Sequence, residues 1–348
     1  MRVPGLRTLR RVGGRLKRRL SRRALVLLYH RVAEADTDPW QLAVTPRHFA
    51  EHLQVLRSLG RPASLQQLSS GLREGRLPRR AIVVTFDDGY ADNLLNAKPL
   101  LEAHDVPATV FVATGYSHAD REFWWDELDR LFLQPGALPR ALRLNVRGHG
   151  HDWQLEAVAD YDDALYRRHL SWRVWQKDAP TSRHAIYRSL WELMHPMSDD
   201  ERQEVRKALL TWAGASGSAR PTHRALTPEE IVELARGGLV EVGCHTVTHP
   251  QLSALSGGAQ RDEIGRSKAQ LEEMLGRRVA SFAYPYGREC DYTRETVALV
   301  QEAGFDCACS TLPTVVARGT DLFQLPRVAV QDMDGESFAR LISKHLHS

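Results

Sequence analysis

Seven short apolar runs, separated by helical or loop segments, constrain the fold of this chain more than any other feature. They span residues 25–30, 81–86, 108–113, 240–245, 279–285, 306–311 and 323–330. Runs of this length without polar alternation read as strands buried on both faces, which implies a parallel sheet covered by helices. The segments between them carry helix signals. Phe49, Leu53 and Leu56 recur at helical spacing and stop at Gly60. Thr227, Pro228 and Glu230 make an N-cap, N1 and N3 signature before another helix. Two further helical patterns close on Gly276 and Gly304. Strands alternating with helices over 348 residues, 43% hydrophobic and 26% charged, predict an α/β protein and favour a (β/α) barrel over an open sheet.

One segment breaks the alternation. Between Gly115 and about Ala225 no βα unit is visible, yet seven of the eight tryptophans fall there: Trp124, Trp125, Trp153, Trp172, Trp175, Trp191 and Trp212. The expectation is a mostly helical insertion after the third strand, residues 115–225, with a small aromatic core. Its aromatic faces suit either a lid that packs on sugar rings or a plain helical core. The barrel then comprises residues 24–114 and 226–348, preceded by an arm, residues 1–23.

The chemistry concentrates where strands end. Asp87 and Asp88 stand side by side just after the strand 81–86. Adjacent carboxylates repel, and a turn alone explains the following Gly89 but not the pair. His245 and His249, four residues apart, end the strand 240–245 and can reach one cation. Such a histidine pair also occurs on ordinary helix surfaces. With an added carboxylate it makes a three-ligand divalent site that leaves a position open for water. Asp88 then binds the cation and Asp87 stays free as general base, the cation offsetting their repulsion. His30 and Tyr286 also follow strand ends, the face on which (β/α) barrels build active sites.

The stretches "TFDDGY", "HTVTH" and "FAYPYG", in that order, resemble the polysaccharide deacetylases of carbohydrate esterase family four, the NodB-homology superfamily. The similarity runs from Leu25 to Val330, apart from the tryptophan-rich insertion. It implies a distorted seven-stranded (β/α) barrel and metal-dependent removal of acetyl groups from glycans. It also implies a metal, expected to be zinc, on Asp88, His245 and His249, with Asp87 as base and the Tyr286 backbone N–H as an oxyanion donor. Two departures stand out. The family's third motif begins with an Arg that orients the base, and Ala283 occupies that place. Arg327, on the last predicted strand, is the expected replacement, the alternative being an ordinary ion-pair Arg. The family's C-terminal acid motif is also not convincing in the final "KHLHS". Members acting on poly-N-acetylglucosamine resemble a circularly permuted form with the acid histidine on an N-terminal strand. His30 in "LLYHRV" matches that context and is expected to be the general acid, protonated before it donates to the leaving amine.

Charge divides the chain. Ten of the 47 basic residues and none of the 43 acidic ones fall in residues 1–23, leaving a mildly acidic body. Leu6, Leu9, Leu16 and Leu20 recur at roughly helical spacing there, which suits either an amphipathic helix on an anionic membrane or a solvated arm. No run reaches the ~20 apolar residues that span a bilayer, and the run Ala24–Tyr29 is shorter than a signal core of ~7–15 residues. The expected location is the cytoplasm, with peripheral attachment to the inner membrane as one reading of the basic start and an organellar transit peptide as another. The expected partner is an acetylated amino-sugar glycan or its lipid- or nucleotide-linked precursor. Nucleic acid is disfavoured because the aromatic insertion lacks interleaved basic clusters. Two rival functions share these residues: hydrolysis of other linear C–N bonds, and glycan binding by a barrel without catalysis. Four cysteines without a CxxC pair read as small buried hydrophobes.

Overall fold

A computed structural model describes residues 23–118 and 121–347. Residues 1–22 of the basic arm, which carry its proposed amphipathic pattern, lie outside the described residues, and Arg23 opens the first strand. The seven apolar runs form strands β1 (Arg23–Tyr29), β2 (Ala81–Phe86), β3 (Ala108–Val112), β4 (Val240–Cys244), β5 (Ser281–Ala283), β6 (Cys307–Cys309) and β7 (Val328–Ala329). They lie parallel in the order β6-β5-β4-β3-β2-β1-β7. Two-residue strands extend the sheet at Arg61–Pro62 beside β2 and, antiparallel, at Val316–Ala317 beside β1. The segment entering β7 closes the ring. Leu325 exchanges backbone hydrogen bonds with Ala308 and Ser310 at β6, and three residues later Val328 pairs with Leu27 of β1. The predicted seven-stranded (β/α) barrel is therefore the observed architecture.

Alternation along each strand sorts its residues onto two faces. Leu25, Leu27, Ile82, Val84, Val110, Val112, Val240 and Val242 pack outward with the helices, whereas Ala24, Val26, Ala81, Val83, Phe111, Ala283, Cys307 and Cys309 share an inner cluster. Both faces are buried, which is why the strands carry almost no polar residues. The outer layer includes α1 (Pro46–Leu59), which turns Phe49, Leu53 and Leu56 onto the sheet. The helices on either side of β4 are capped as the sequence predicts, with a Thr227–Glu230 box opening Pro228–Ala235 and left-handed Gly276 ending Gly257–Leu275. Among the described residues no helix is long and apolar enough to cross a membrane.

Residues 115–225 hold the helices α2 (Trp124–Phe132), α3 (Ser182–Met194) and α4 (Asp199–Ala213). They also hold an antiparallel hairpin, Ala141–Val146 with His149–Gln154, turned by Arg147 and Gly148 at positive φ. The expectation of mostly helical structure overlooked that hairpin. Leu142, Leu144 and Val146 alternate with exposed residues along it, a period-two pattern that the surrounding helical signals obscured. The aromatic core is real but not confined to this segment. Trp40 and Tyr90 belong to it, Trp40 lying 4.5 Å from Trp191 and donating to the Tyr187 hydroxyl at 2.8 Å.

Candidate functional site

The inward alternation of the strands delivers the polar residues to one place. In β2 the inward series Ala81, Val83, Thr85 continues to Asp87. In β4 the inward Gly243 is followed two residues on by His245, and in β1 the series Ala24, Val26 leads through Leu28 to His30. All three lie just beyond the C-terminal strand ends. The backbone N–H of Asp87 donates to the Tyr29 carbonyl at 3.0 Å, locking the two strand ends together.

Asp88 departs from the strand. It adopts φ 72° and Gly89 φ 81°, a left-handed pair that turns the chain sharply and swings the second carboxylate toward β4. Gly89 is needed at this point, since a Cβ would also meet the Val112 side chain at 3.1 Å. The Asp88 carboxylate lies 3.3 Å from His249 Nε2 and 3.6 Å from His245 Nε2. Ligand atoms of Asp88, His245 and His249 all fall within 4.8 Å of one another, and all three residues are buried. His245 Nδ1 bonds the Ala283 carbonyl at 2.8 Å, which assigns the proton to Nδ1 and leaves the Nε2 lone pair facing Asp88. His249 has φ 54° and presents its own Nε2 from the other side. Burial, then the Asp87 charge, pushes the Asp88 carboxyl well above its usual range. Burial likewise holds both histidines below theirs. Two imidazole lone pairs and a carboxylate converging in a dry site are the donor set of a divalent cation, and the residues present fit one.

Asp87 is the opposite case. Arg327 Nη1 and Nη2 each donate to one of its carboxylate oxygens at 2.7 Å, a bidentate pair that is fully buried. Arg327 is itself held by the Ser310 carbonyl at 2.9 Å and Thr85 Oγ1 at 3.2 Å. Its guanidinium lies over the Phe111 ring. Burial alone would raise Asp87, but Arg327 and His245 outweigh it and the carboxyl ends below its usual range. Arg327, the residue expected to take the place left by Ala283, thus stands against Asp87, its guanidinium arriving from the residue just before β7.

His30 lies within electrostatic range of Asp87, Arg327 and His245, as expected of a residue at the barrel mouth. Burial lowers its pKa to about 4, only partly countered by Asp87. Tyr286 sits at φ 60° in a turn where Gly287 follows at φ 69°. Its ring lies 4.6 Å from that of His249, and among the described residues its backbone N–H has no acceptor.

Sequence reasoning missed a further set of residues around the site. Trp125 packs 4.9 Å from His249 and donates to the Tyr90 hydroxyl, which donates in turn to Asp126 at 2.7 Å. Burial pushes Asp126 up to about 7. Arg31 pairs with Asp92 beneath Tyr90. The stretch "FWWDELDRL" carried that signal, an acid inside an aromatic run, without marking which acid turns toward the barrel.

Comparison with known proteins bears on family and fold. The family model described as polysaccharide deacetylase matches residues 74–162 and 203–308, more than half of the chain. The Bacillus subtilis (strain 168) protein YxkH is 20% identical over 320 residues, covering 91% of this chain and 75% of its own. The poly-β-1,6-N-acetyl-D-glucosamine N-deacetylase of Escherichia coli (strain K12) is 29% identical over 121 residues, 30% of this chain and 18% of that enzyme. Among solved structures, the Streptococcus pyogenes deacetylase PplD, in complex with acetate, superposes with a TM-score of 0.57 at 18% identity, covering 92% of this chain and 99% of that one.

Proposed function

The chain belongs to the polysaccharide deacetylase family, and from that premise we propose that it hydrolyses the acetamide of an acetylated amino sugar at a divalent cation held by Asp88, His245 and His249. The observation that carries this reading is the buried trio of convergent ligand atoms beside a second carboxylate fixed by a bidentate guanidinium. A divalent cation bound there, expected to be zinc, would supply Lewis acidity to the acetyl carbonyl and acidify a water at neutral pH.

The protein's own groups then divide the proton work. Asp87, kept ionised by Arg327, accepts the proton of the attacking water. Its Oδ2 stands 3.9 Å from His245 Nε2, at the edge of the trio. The Tyr286 N–H, without an acceptor among the described residues, donates to the oxygen that gains charge as the carbonyl becomes tetrahedral. His30 delivers a proton to the departing amine nitrogen, which cannot leave as an anion. Because burial holds its resting pKa near 4, the proton it passes on is the one that Asp87 has taken from the water, relayed within the site during turnover. The products are acetate and a free amino sugar.

The substrate class follows from the reaction: a glycan of acetamido sugars, or its lipid- or nucleotide-linked precursor. The E. coli relative's named substrate, poly-β-1,6-N-acetyl-D-glucosamine, supports a glycan. The basic arm supports a substrate met at the cytoplasmic membrane face. Metal analysis of the purified chain, followed by acetate release from acetamido-sugar oligomers, tests the reading. Bound zinc, acetate rather than formate as product, and loss of both metal and activity in Asp88→Ala are expected. A chain that binds zinc and releases no acid from any such substrate would leave a glycan-binding barrel instead.

A further inference from the structure

We propose that Arg202, on α4 within residues 115–225, is a positioning residue for His249, so that the insertion and the cation site fold and bind as one thermodynamic unit. The inference rests on the cation reading of Asp88, His245 and His249.

The loop that carries His249 is strained. Thr246 and His249 both adopt left-handed φ, 67° and 54°, without glycine. L-residues hold that conformation only where the surroundings over-determine it. One side of the loop is held by the barrel. The Glu263 carboxylate accepts from the N–H groups of Val247 and Thr248 at 2.8 and 2.9 Å and from Thr248 Oγ1 at 2.8 Å. The opposite polarity is held by the insertion. Arg202 Nη1 donates to the His249 carbonyl at 3.0 Å and the Thr248 carbonyl at 3.4 Å. The same guanidinium donates through Nε to the Met194 carbonyl at 3.1 Å and through Nη2 to the His195 carbonyl at 2.9 Å. Those are orphan carbonyls at the C-terminus of α3, the end where a cation is favoured. Arg202 is 1% exposed, stacks over Trp124, and has no carboxylate within ion-pair distance among the described residues. These four hydrogen bonds join the end of α3 to the backbone of a metal ligand and of the residue before it. Residues 163–202 lie between the two segments that the family model matches.

A guanidinium fork that fixes a ligand's backbone sets the direction of its imidazole, and outer contacts of this kind are worth ~10–100-fold in metal affinity. A control of matched chemistry exists in the same molecule. Arg183 is equally buried and donates to the Val158, Gly136 and Ala159 carbonyls, with no contact to the site.

The test is Zn2+ titration of the full chain, with thermal unfolding measured alongside. Arg202→Met should weaken Zn2+ binding ~10–100-fold, and Arg202→Lys, which keeps the charge but not the fork, should fall between. Arg183→Met should lose comparable thermal stability and keep wild-type Zn2+ affinity. Wild-type affinity in a folded Arg202→Met chain would overturn the inference while leaving the cation reading intact. A wild-type chain that takes up no Zn2+ would remove both. Should Arg202→Met not fold, hydrogen exchange on the wild type decides the matter, because coupling is reciprocal. Zn2+ should slow exchange at the amides of His195, Met197 and Arg202, and slowing confined to residues 245–249 would overturn the inference.

Discussion

At the scale of single residues, the site turns on how differently two neighbouring aspartates are treated. Asp87 has a cation locked against it, whereas Asp88 faces only imidazole lone pairs and another anion. Arg327 is therefore the residue whose loss should be most legible. Removing one partner of a buried ion pair strands the other charge and costs about 3–5 kcal/mol. Arg327→Met should show that loss in denaturant unfolding. It should also let the Asp87 pKa rise, since burial pushes the carboxyl up once the guanidinium is gone. The acid limb of the kcat/KM profile should then move to higher pH. Asp87→Asn, which keeps the shape and removes the base, should lower turnover ~10²–10⁴-fold while zinc stays bound. A wild-type acid limb in Arg327→Met would mean that the pair is structural and does not tune the base.

At the scale of elements, the strands place these residues by parity alone, and their inner faces are small for a reason. Gly243 of β4 has no side chain because the Phe111 ring of β3 fills the space, and a Cβ there would lie 2.4 Å from the ring. Phe111 in turn supports the Arg327 guanidinium. Gly243→Ala should overpack this layer at a cost of about 1–3 kcal/mol and displace the guanidinium from Asp87. The expected result is a lowered melting temperature together with lost acetate release; unchanged activity would show that the ring yields elsewhere. The same parity explains what the sequence disclosed. Strands buried on both faces announce themselves as unbroken apolar runs, and a polar residue ending such a run has no packing reason to be there, so Asp87, Asp88, His245 and His30 could be picked out. Arg327 was recognisable only because Ala283 left a gap to fill. The hairpin of residues 141–154 and the Arg202 tie were not legible. The first is a short two-residue turn inside helical surroundings, and the second is an arginine whose partners are all backbone carbonyls, which leave no trace in residue type.

At the scale of the whole molecule, the barrel and the aromatic insertion are two apolar cores sharing one rim, and each buries neutral histidine. His52 lies between α1 and the helix Gly335–His347, stacked 4.0 Å from Phe338, with its Nε2 bonding the Met333 carbonyl and its Nδ1 the Tyr29 hydroxyl. His184 lies in the insertion, edge-on to Trp172 and bonded to Thr181 Oγ1. Burial lowers His52 to about 4 and His184 to about 3. In the unfolded chain both titrate near 6.5. The unfolded state therefore binds more protons below that pH, and stability that is complete above ~6.5 is lost as the pH falls toward ~4. The loss should be on the order of 3 kcal/mol for each histidine by pH 4. Asp126 works against it, because a carboxyl raised to about 7 by burial takes up its proton earlier in the folded state and favours folding at low pH. The total pH dependence is thus a difference of opposed terms, and only a comparison of variants separates them. Urea unfolding between pH 7 and pH 4.5 should show a falling midpoint in the wild type. The fall should be shallower in His52→Gln and in His184→Gln, each of which keeps a polar contact and cannot charge. Slopes equal to the wild type in both variants would assign the acid sensitivity to other groups. A shallower slope in only one would show which of the two cores gives way first.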